Sequence, residues 1–353
     1  MRTRRTTRMT MALATAVATA LPLIALQPAP GQAAPARSGD GVQKYQHRAK
    51  VGAQILRVLV LDQTPGIEGG KVVDLRVGRA SSMLNTRKAT PSVSTSKSLG
   101  GRGLADNDLS GLLTALVAKA GPTKGTDEIP SQTLVPVPAE PLLSVGASTG
   151  EAMARWAGKR SCVPGGQDAT SSMSSTADAT VLPGAIPGTG SLLALDGTAS
   201  AMQRTQYLPR GDRSGLKGVA TTGLADLELF GGAVGIEVSS DPKMVATATG
   251  RPGGARIDYT PAVLEITGPD GQPVPIPTDG APAEISFPEN PLLGLTLQFP
   301  GVIKEKVTEN GRMAKAKSVT LRAVLSLGGQ VIADVAVAPL QTKVKVPRGG
   351  ISC

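Results

Sequence analysis

The sequence predicts an all-β protein of long antiparallel hairpins, packed as one or two β-sandwich-like lobes with at most one short helix near 108–119. Three observations lead there. Ser318, Thr320, Arg322 and Ser326 alternate with Val319, Leu321, Ala323 and Leu325, the period of a strand with one wet and one dry face. Glycine pairs at 69–70, 231–232 and 328–329, together with Asn310-Gly311, punctuate such alternation where hairpins would turn. Aromatic residues make up only 2% of the chain while Gly (43) and Pro (28) are plentiful, so the core must be Val, Leu, Ile and Ala with many turns between. At 353 residues the chain is long enough for one large or two ordinary domains.

Residues 1–36 read as an export signal. Arg2, Arg4, Arg5 and Arg8 form a basic start, Met9 to Leu26 is mostly apolar, and Ala34-Pro35-Ala36 offers the small residues a signal peptidase needs. Arg4-Arg5 raises a twin-arginine route, but Thr7 and Arg8 stand where that motif wants apolar residues, which favours the general route. No lipoprotein cysteine follows, and no later run is long and apolar enough to span a membrane. The expected location is extracellular or cell-wall associated, without a covalent anchor.

Residues 37–120 are expected to form an N-terminal β lobe. Ile55 to Leu61 is apolar enough for burial on both faces, and Val73, Leu75 and Val77 alternate. The short helix would run from Asp108 as its cap to Lys119, stopped by Gly121-Pro122. Residues 121–141 carry five prolines and read as a seam between lobes. The remainder, 142–353, is expected to be a C-terminal β region. Ala147 to Val181 reads as two long strands and Ser191 to Leu208 as a short strand pair.

Two registers can be worked out. A three-residue loop at Gly328-Gly329-Gln330 pairs Leu325 with Ala333, Ala323 with Val335 and Leu321 with Val337; a two-residue loop would oppose apolar to charged residues. A turn at Gly231-Gly232 pairs Leu229 with Val234 and Leu227 with Ile236. Closing at Asn310-Gly311 sets Lys306 opposite Lys315 and Lys304 opposite Lys317.

The formal charge is +10, and removing the four leader arginines lowers it to +6, the same excess that residues 301–353 carry with nine Lys/Arg against three Asp/Glu. The stretch between is neutral. Lys304, Lys306, Lys315 and Lys317 are therefore the candidate anion-binding residues. Exposed lysines also keep strands from pairing with other chains, which is the competing explanation. Cys162 and Cys353 are the cysteines left after cleavage, and an oxidising compartment permits their pairing.

Other motifs point to no chemistry. Gly146-Ala147-Ser148-Thr149-Gly150 matches G-x-S-x-G, but the only histidine, His47, lies upstream and is expected at a surface strand position. Asp106-Asn107-Asp108-Leu109-Ser110-Gly111 copies half a calcium loop whose twelfth position is Val117, not Glu. Arg210-Gly211-Asp212 is a tripeptide that three common residues form by chance. No phosphate loop, zinc spacing or dinucleotide fingerprint is present, and seven aromatics in all offer no platform for nucleic acid. No catalytic residue, metal ligand or cofactor is expected, and Trp156 is expected to anchor the core.

The leader, the Leu143-to-Trp156 segment followed by Cys162, and the Gly-Gly hairpin followed by Val245-Ala246-Thr247-Ala248-Thr249 resemble secreted or cell-surface proteins of high-GC Gram-positive actinobacteria. The resemblance covers most of the mature chain and implies no reaction. The expected function is a non-catalytic envelope or extracellular protein, structural or adhesive, whose basic C-terminal hairpin touches anionic cell-wall polymer or lipid headgroups. The alternative is a secreted hydrolase working with carboxylates alone.

Overall fold

The computed structural model describes residues 46–60, 73–102, 115–134, 137–139, 143–157, 162–164, 166–186, 190–210, 213–288 and 290–352. In chain order the strands are β1 (Arg48–Val60), β2 (Val73–Asn85), β3 (Ser92–Arg102), β4 (Ala115–Ala120), β5 (Thr126–Leu134), β6 (Val137–Ala139), β7 (Leu143–Val145), β8 (Ser148–Arg155), β9 (Asp168–Ile186), β10 (Gly190–Arg210), β11 (Arg213–Gly223) and β12 (Asp226–Leu229). They continue as β13 (Val234–Ser240), β14 (Lys243–Ala248), β15 (Ala255–Thr260), β16 (Val263–Thr267), β17 (Ala283–Ser286), β18 (Leu293–Gln298), β19 (Gly301–Val307), β20 (Met313–Val319), β21 (Leu321–Leu327), β22 (Gln330–Val337), β23 (Leu340–Lys345) and β24 (Ile351–Ser352).

These strands build two antiparallel sheets, the all-β architecture the alternation predicts. The first runs β17-β18-β21-β22-β1-β2-β3-β4, and β23 continues along β1 beyond β22, carrying β20 and then β19 outward. The second runs β15-β14-β11-β10-β12-β13-β16, with β9 beside β10 and β8 and β5 beyond it.

Several sequence expectations are corrected here. The 37–120 stretch is not a lobe of its own, because β1 is hydrogen-bonded between β2 and the C-terminal strands β22 and β23. Residues 121–141 are not a seam, since β5 runs through them and pairs with β8. Residues 115–119 of the expected helix are strand, paired with β3. Leu116, Ala118 and Ala120 are buried while the residues between face out, so the period is two, and an edge beside β3 was open to accept it. The rest of that helix, 108–114, lies outside the described residues, as do the leader and Gly69-Gly70. Ser191 to Leu208, expected as a short strand pair, belongs to a single strand, β10, bulged after Leu195.

The worked-out registers hold. Leu325 faces Ala333, Ala323 faces Val335 and Leu321 faces Val337. The device differs from the expected loop. Leu327 pairs with Gln330 across a two-residue Gly328-Gly329 turn, and a bulge at Ile332 of β22, between the Ser326–Val331 and Leu325–Ala333 pairs, restores the apolar register. Leu229–Val234 and Leu227–Ile236 pair as expected. Ser318 and Thr320, expected on a wet face, are buried instead, because the chain breaks between β20 and β21 and the inward parity changes there.

Parity also changes along a line across the first sheet. In β1, Val51, Ala53 and Ile55 face inward and then Leu56, Val58 and Val60 do. The same switch falls at Gly78 in β2 and at Ala338 between β22 and β23, both with positive φ (54° and 48°). The Ala338 N–H donates to the Ile55 carbonyl at 2.8 Å across this crease. A Cβ on Gly78 would sit 2.2 Å from Ile55 Cδ1. Gly78→Ala is therefore expected to cost about 2 kcal/mol from overpacking and the left-handed backbone. A denaturant midpoint equal to the parent's would remove this account of the crease.

Between the sheets, one region is aliphatic and another is lined with hydroxyls. Leu, Val and Ile from β1, β10, β12, β13, β18, β21 and β22 form the larger cluster. Along β3 and β9 the interior side chains are Ser92, Ser94, Ser96, Thr170, Ser172, Ser174 and Thr176, all buried. Ser92, Ser94 and Ser96 donate to the carbonyls of Ala169, Ser171 and Met173 at 3.2, 2.6 and 2.6 Å, and Ser174 donates back to Lys97 at 3.0 Å. Side chains this small bring Cα atoms of β3 and β9 within 8 Å, closer than the roughly 10 Å of ordinary stacked sheets.

Candidate anion-binding face

The alternation that buries Ala314 and Ala316 in β20, and Thr342 and Val344 in β23, turns Lys315, Lys317, Lys343 and Lys345 outward. The expected pairs form: Lys306 opposite Lys315 and Lys304 opposite Lys317, with a bulge at Ile303. The tertiary fold then extends the row. Lys315 pairs with Lys343, and Lys343 with Lys50 of β1, so Lys306, Lys315, Lys343 and Lys50 are consecutive cross-strand neighbours. Adjacent strands lie about 4.8 Å apart. Lys345 and Arg48 pair one row along, while Gln341 and Gly52 continue the row of Lys304 and Lys317.

No carboxylate interrupts the outward positions of β19, β20, β23 and the first half of β1. Glu305 stands opposite Ala316, whose side chain points inward, and so belongs to the other side of the ribbon. Lys315 records the consequence: the charge of Lys304, then slight desolvation, then Lys343, Lys317 and Lys306 all push its ammonium pKa down. Such a cluster is tolerated where water or an anion relieves it.

Where the crease meets this face a cleft of about 300 Å³ opens, lined by residues that include Gly52, Gln54, Arg57, Arg76, Arg79, Ile303, Lys317 and Gln341. Asp74 sits beside it. Arg57 donates to both its oxygens at 3.0 Å, and Arg76 donates at 3.2 and 2.6 Å. Burial raises the Asp74 pKa, but the hydrogen bonds from Arg76 and Arg57 outweigh it and hold the carboxyl at about 2. Arg79 differs. Its pKa is lowered by burial first and by the Arg76 charge second, and among the described residues no carboxylate pairs with it. A more apolar hollow of about 650 Å³ lies elsewhere, against Phe230, Phe287 and Leu293.

The structure thus brings the four candidate lysines together and adds Arg48, Lys50, Arg79, Lys343 and Lys345. Alternation in 341–345 signalled that Lys343 and Lys345 share a face, but only long-range pairing sets them and β1 beside the hairpin. Cys162 is half-buried against the second core cluster, which also holds Trp156 and Ile351, and Cys353 lies outside the described residues. His47, expected at the surface, is 1% exposed. Its Nε2 lies 2.7 Å from the equally buried Tyr207 hydroxyl, and its backbone is tied to Thr86. Ser148 of the G-x-S-x-G match is buried at the start of β8 and pairs with Thr176, with no exposed elbow. The half calcium loop and the Gly211-Asp212 pair lie outside the described residues.

No protein-family model matches this chain, and no curated protein matches it. Among solved structures, an AttH protein of Nitrosomonas europaea is 11% identical over 92% of this chain and 98% of its own, with a TM-score of 0.16. The OmpF porin of Salmonella typhi, in complex with daunomycin, is 7% identical over 84% of this chain and 96% of its own, with a TM-score of 0.16. OccK9 (OpdG) of Pseudomonas aeruginosa is 9% identical over 84% of this chain and 98% of its own, with a TM-score of 0.14. Likeness at this level carries no argument about function. Among the described residues no helix is long and apolar enough to cross a membrane.

Proposed function

We propose that this is an exported, non-catalytic envelope or extracellular protein, structural or adhesive, that holds to anionic cell-wall polymer through the basic face of its first sheet. The observation that carries this reading is the acid-free row Lys306–Lys315–Lys343–Lys50, backed by Lys304 and Lys317. Edge protection accounts for lysines on β19, the outermost strand, but β20, β23 and β1 are paired on both sides and need none. A row of lysines on successive strands about 5 Å apart suits a linear polyanion better than a single compact ligand.

The test is co-sedimentation of the full chain with purified cell wall across a salt series. Changing Lys304, Lys306, Lys315 and Lys317 to glutamine is expected to lower retention at least tenfold at low salt and to flatten its salt dependence. Undiminished retention by that variant would exclude this face. Retention on anionic lipid vesicles but not on wall would exclude the polymer as its partner.

Export and a Cys162–Cys353 crosslink belong to the same reading. Support for the crosslink comes from the second core cluster: Ile351 of β24 is buried in it and Cys162 packs against it, while β24 is held on β11 by Arg213 and Ser214.

A further inference from the structure

We propose that the cleft beside Arg79 is a binding site for one phosphoryl group, either a free phosphate or a phosphodiester of the polymer lying over the lysine rows. This rests on the reading of the basic face as an anion-contacting surface, and it assigns that face a specific pocket. A flat sheet face offers only a plane of charges. The cleft exists because two local features coincide. Inward parity switches at Ile55, Gly78 and Ala338, with positive φ at the last two, and Gly52 leaves an outward position empty between Gln341 and Ser81.

The charge balance favours a phosphoryl group. Arg57, Arg76, Arg79 and Lys317 line the cleft, and the carboxylate held there, Asp74, is already taken by Arg57 and Arg76. Arg79 is left as a half-buried guanidinium with no carboxylate partner among the described residues, in surroundings that disfavour its charge. A protein tolerates that where an anion completes the site. Guanidinium forks bind phosphoryl oxygens with two parallel hydrogen bonds, and Lys317, from another strand, approaches the same space as a point charge. Ile303, bulged out of β19 and 55% exposed, gives the cleft an apolar rim that limits water.

The experiment is titration of the full chain with inorganic phosphate at fixed ionic strength in a chloride buffer. Saturable one-site binding is expected. Arg79→Gln should weaken it at least tenfold, with Arg79→Lys intermediate. Gly52→Val is the decisive variant. A Cβ at Gly52 would meet only the Ala80 carbonyl at 3.6 Å and Ser81 Cβ at 3.7 Å, so the chain should fold with an unchanged melting temperature while valine fills the cleft floor. Its phosphate affinity should fall as far as that of Arg79→Gln, although no charge has changed. A variant with Lys304, Lys306 and Lys315 changed to glutamine should still bind phosphate within about threefold, because those residues lie outside the cleft.

A synthetic glycerol-phosphate oligomer separates the two sources. If the polymer enters the cleft, phosphate displaces the oligomer from the parent protein; if it does not, oligomer and phosphate bind together. Either result supports the cleft. Phosphate affinity unchanged by both Arg79→Gln and Gly52→Val overturns it, and leaves wall retention standing on the lysines alone. Wall retention absent in the parent, with phosphate still bound at Arg79, would instead overturn the wider reading and leave the cleft as a site for free phosphate.

Discussion

Replacing Gln203 with leucine is expected to lower the unfolding free energy by about 4 kcal/mol, from one orphaned buried donor at ~1–3 kcal/mol and two lost hydrogen bonds at ~1 kcal/mol each. Gln203 projects from β10 into the hydroxyl-lined part of the interior and is 1% exposed. Its Oε1 accepts from the Ser82 hydroxyl at 2.6 Å, and its Nε2 donates to the hydroxyls of Ser94 and Ser172 at 3.1 and 3.0 Å. One amide therefore ties β2 and β3 of the first sheet to β9 and β10 of the second. Leucine is close in size but leaves the Ser82 proton with no acceptor. Chemical denaturation with Met202→Gln as the control checks this, since Met202 precedes it on the same strand but faces solvent at 45% exposure. A loss at Gln203 no larger than at Met202 would mean that the sheets are held by the aliphatic region alone.

The proposed crosslink should have the largest effect. Closing a loop of about 190 residues between Cys162 and Cys353 is worth about 5 kcal/mol on the chain-entropy account. Cys162→Ser, or full reduction, should lower the unfolding free energy measured by chemical denaturation by that amount and slow migration on a non-reducing gel. The effect of reduction should vanish in the Cys162→Ser background. Two reactive thiols in the native protein, counted with a thiol reagent, would end the proposal.

Strand type and hairpin register were legible in the sequence because they are local. Leu321, Ala323 and Leu325 admit one pairing with Ala333, Val335 and Val337 that keeps apolar side chains together, and the same logic set Lys304 and Lys306 against Lys317 and Lys315. Short-range cues failed where a segment's partner lies far away. Ala115–Ala120 carries helix-forming residues downstream of a plausible cap at Asp108, yet the open edge of β3 offered backbone hydrogen bonds that made it a strand. His47 lies between polar neighbours, a setting that predicts exposure, but Tyr207, 160 positions away, covers it.

The all-β class, the period that puts lysines on one side of the last hairpins, and a core of small aliphatics with few aromatics all follow from residue order and composition. Long-range folding alone sets β1 beside β23, bringing Lys50 and Arg48 to those lysines and placing Arg79 in the cleft with Lys317. The physical reason is range. Alternation and turn chemistry act between residues a few positions apart, whereas the partner of β1 is set by which distant edge best completes the buried apolar face and its backbone hydrogen bonds.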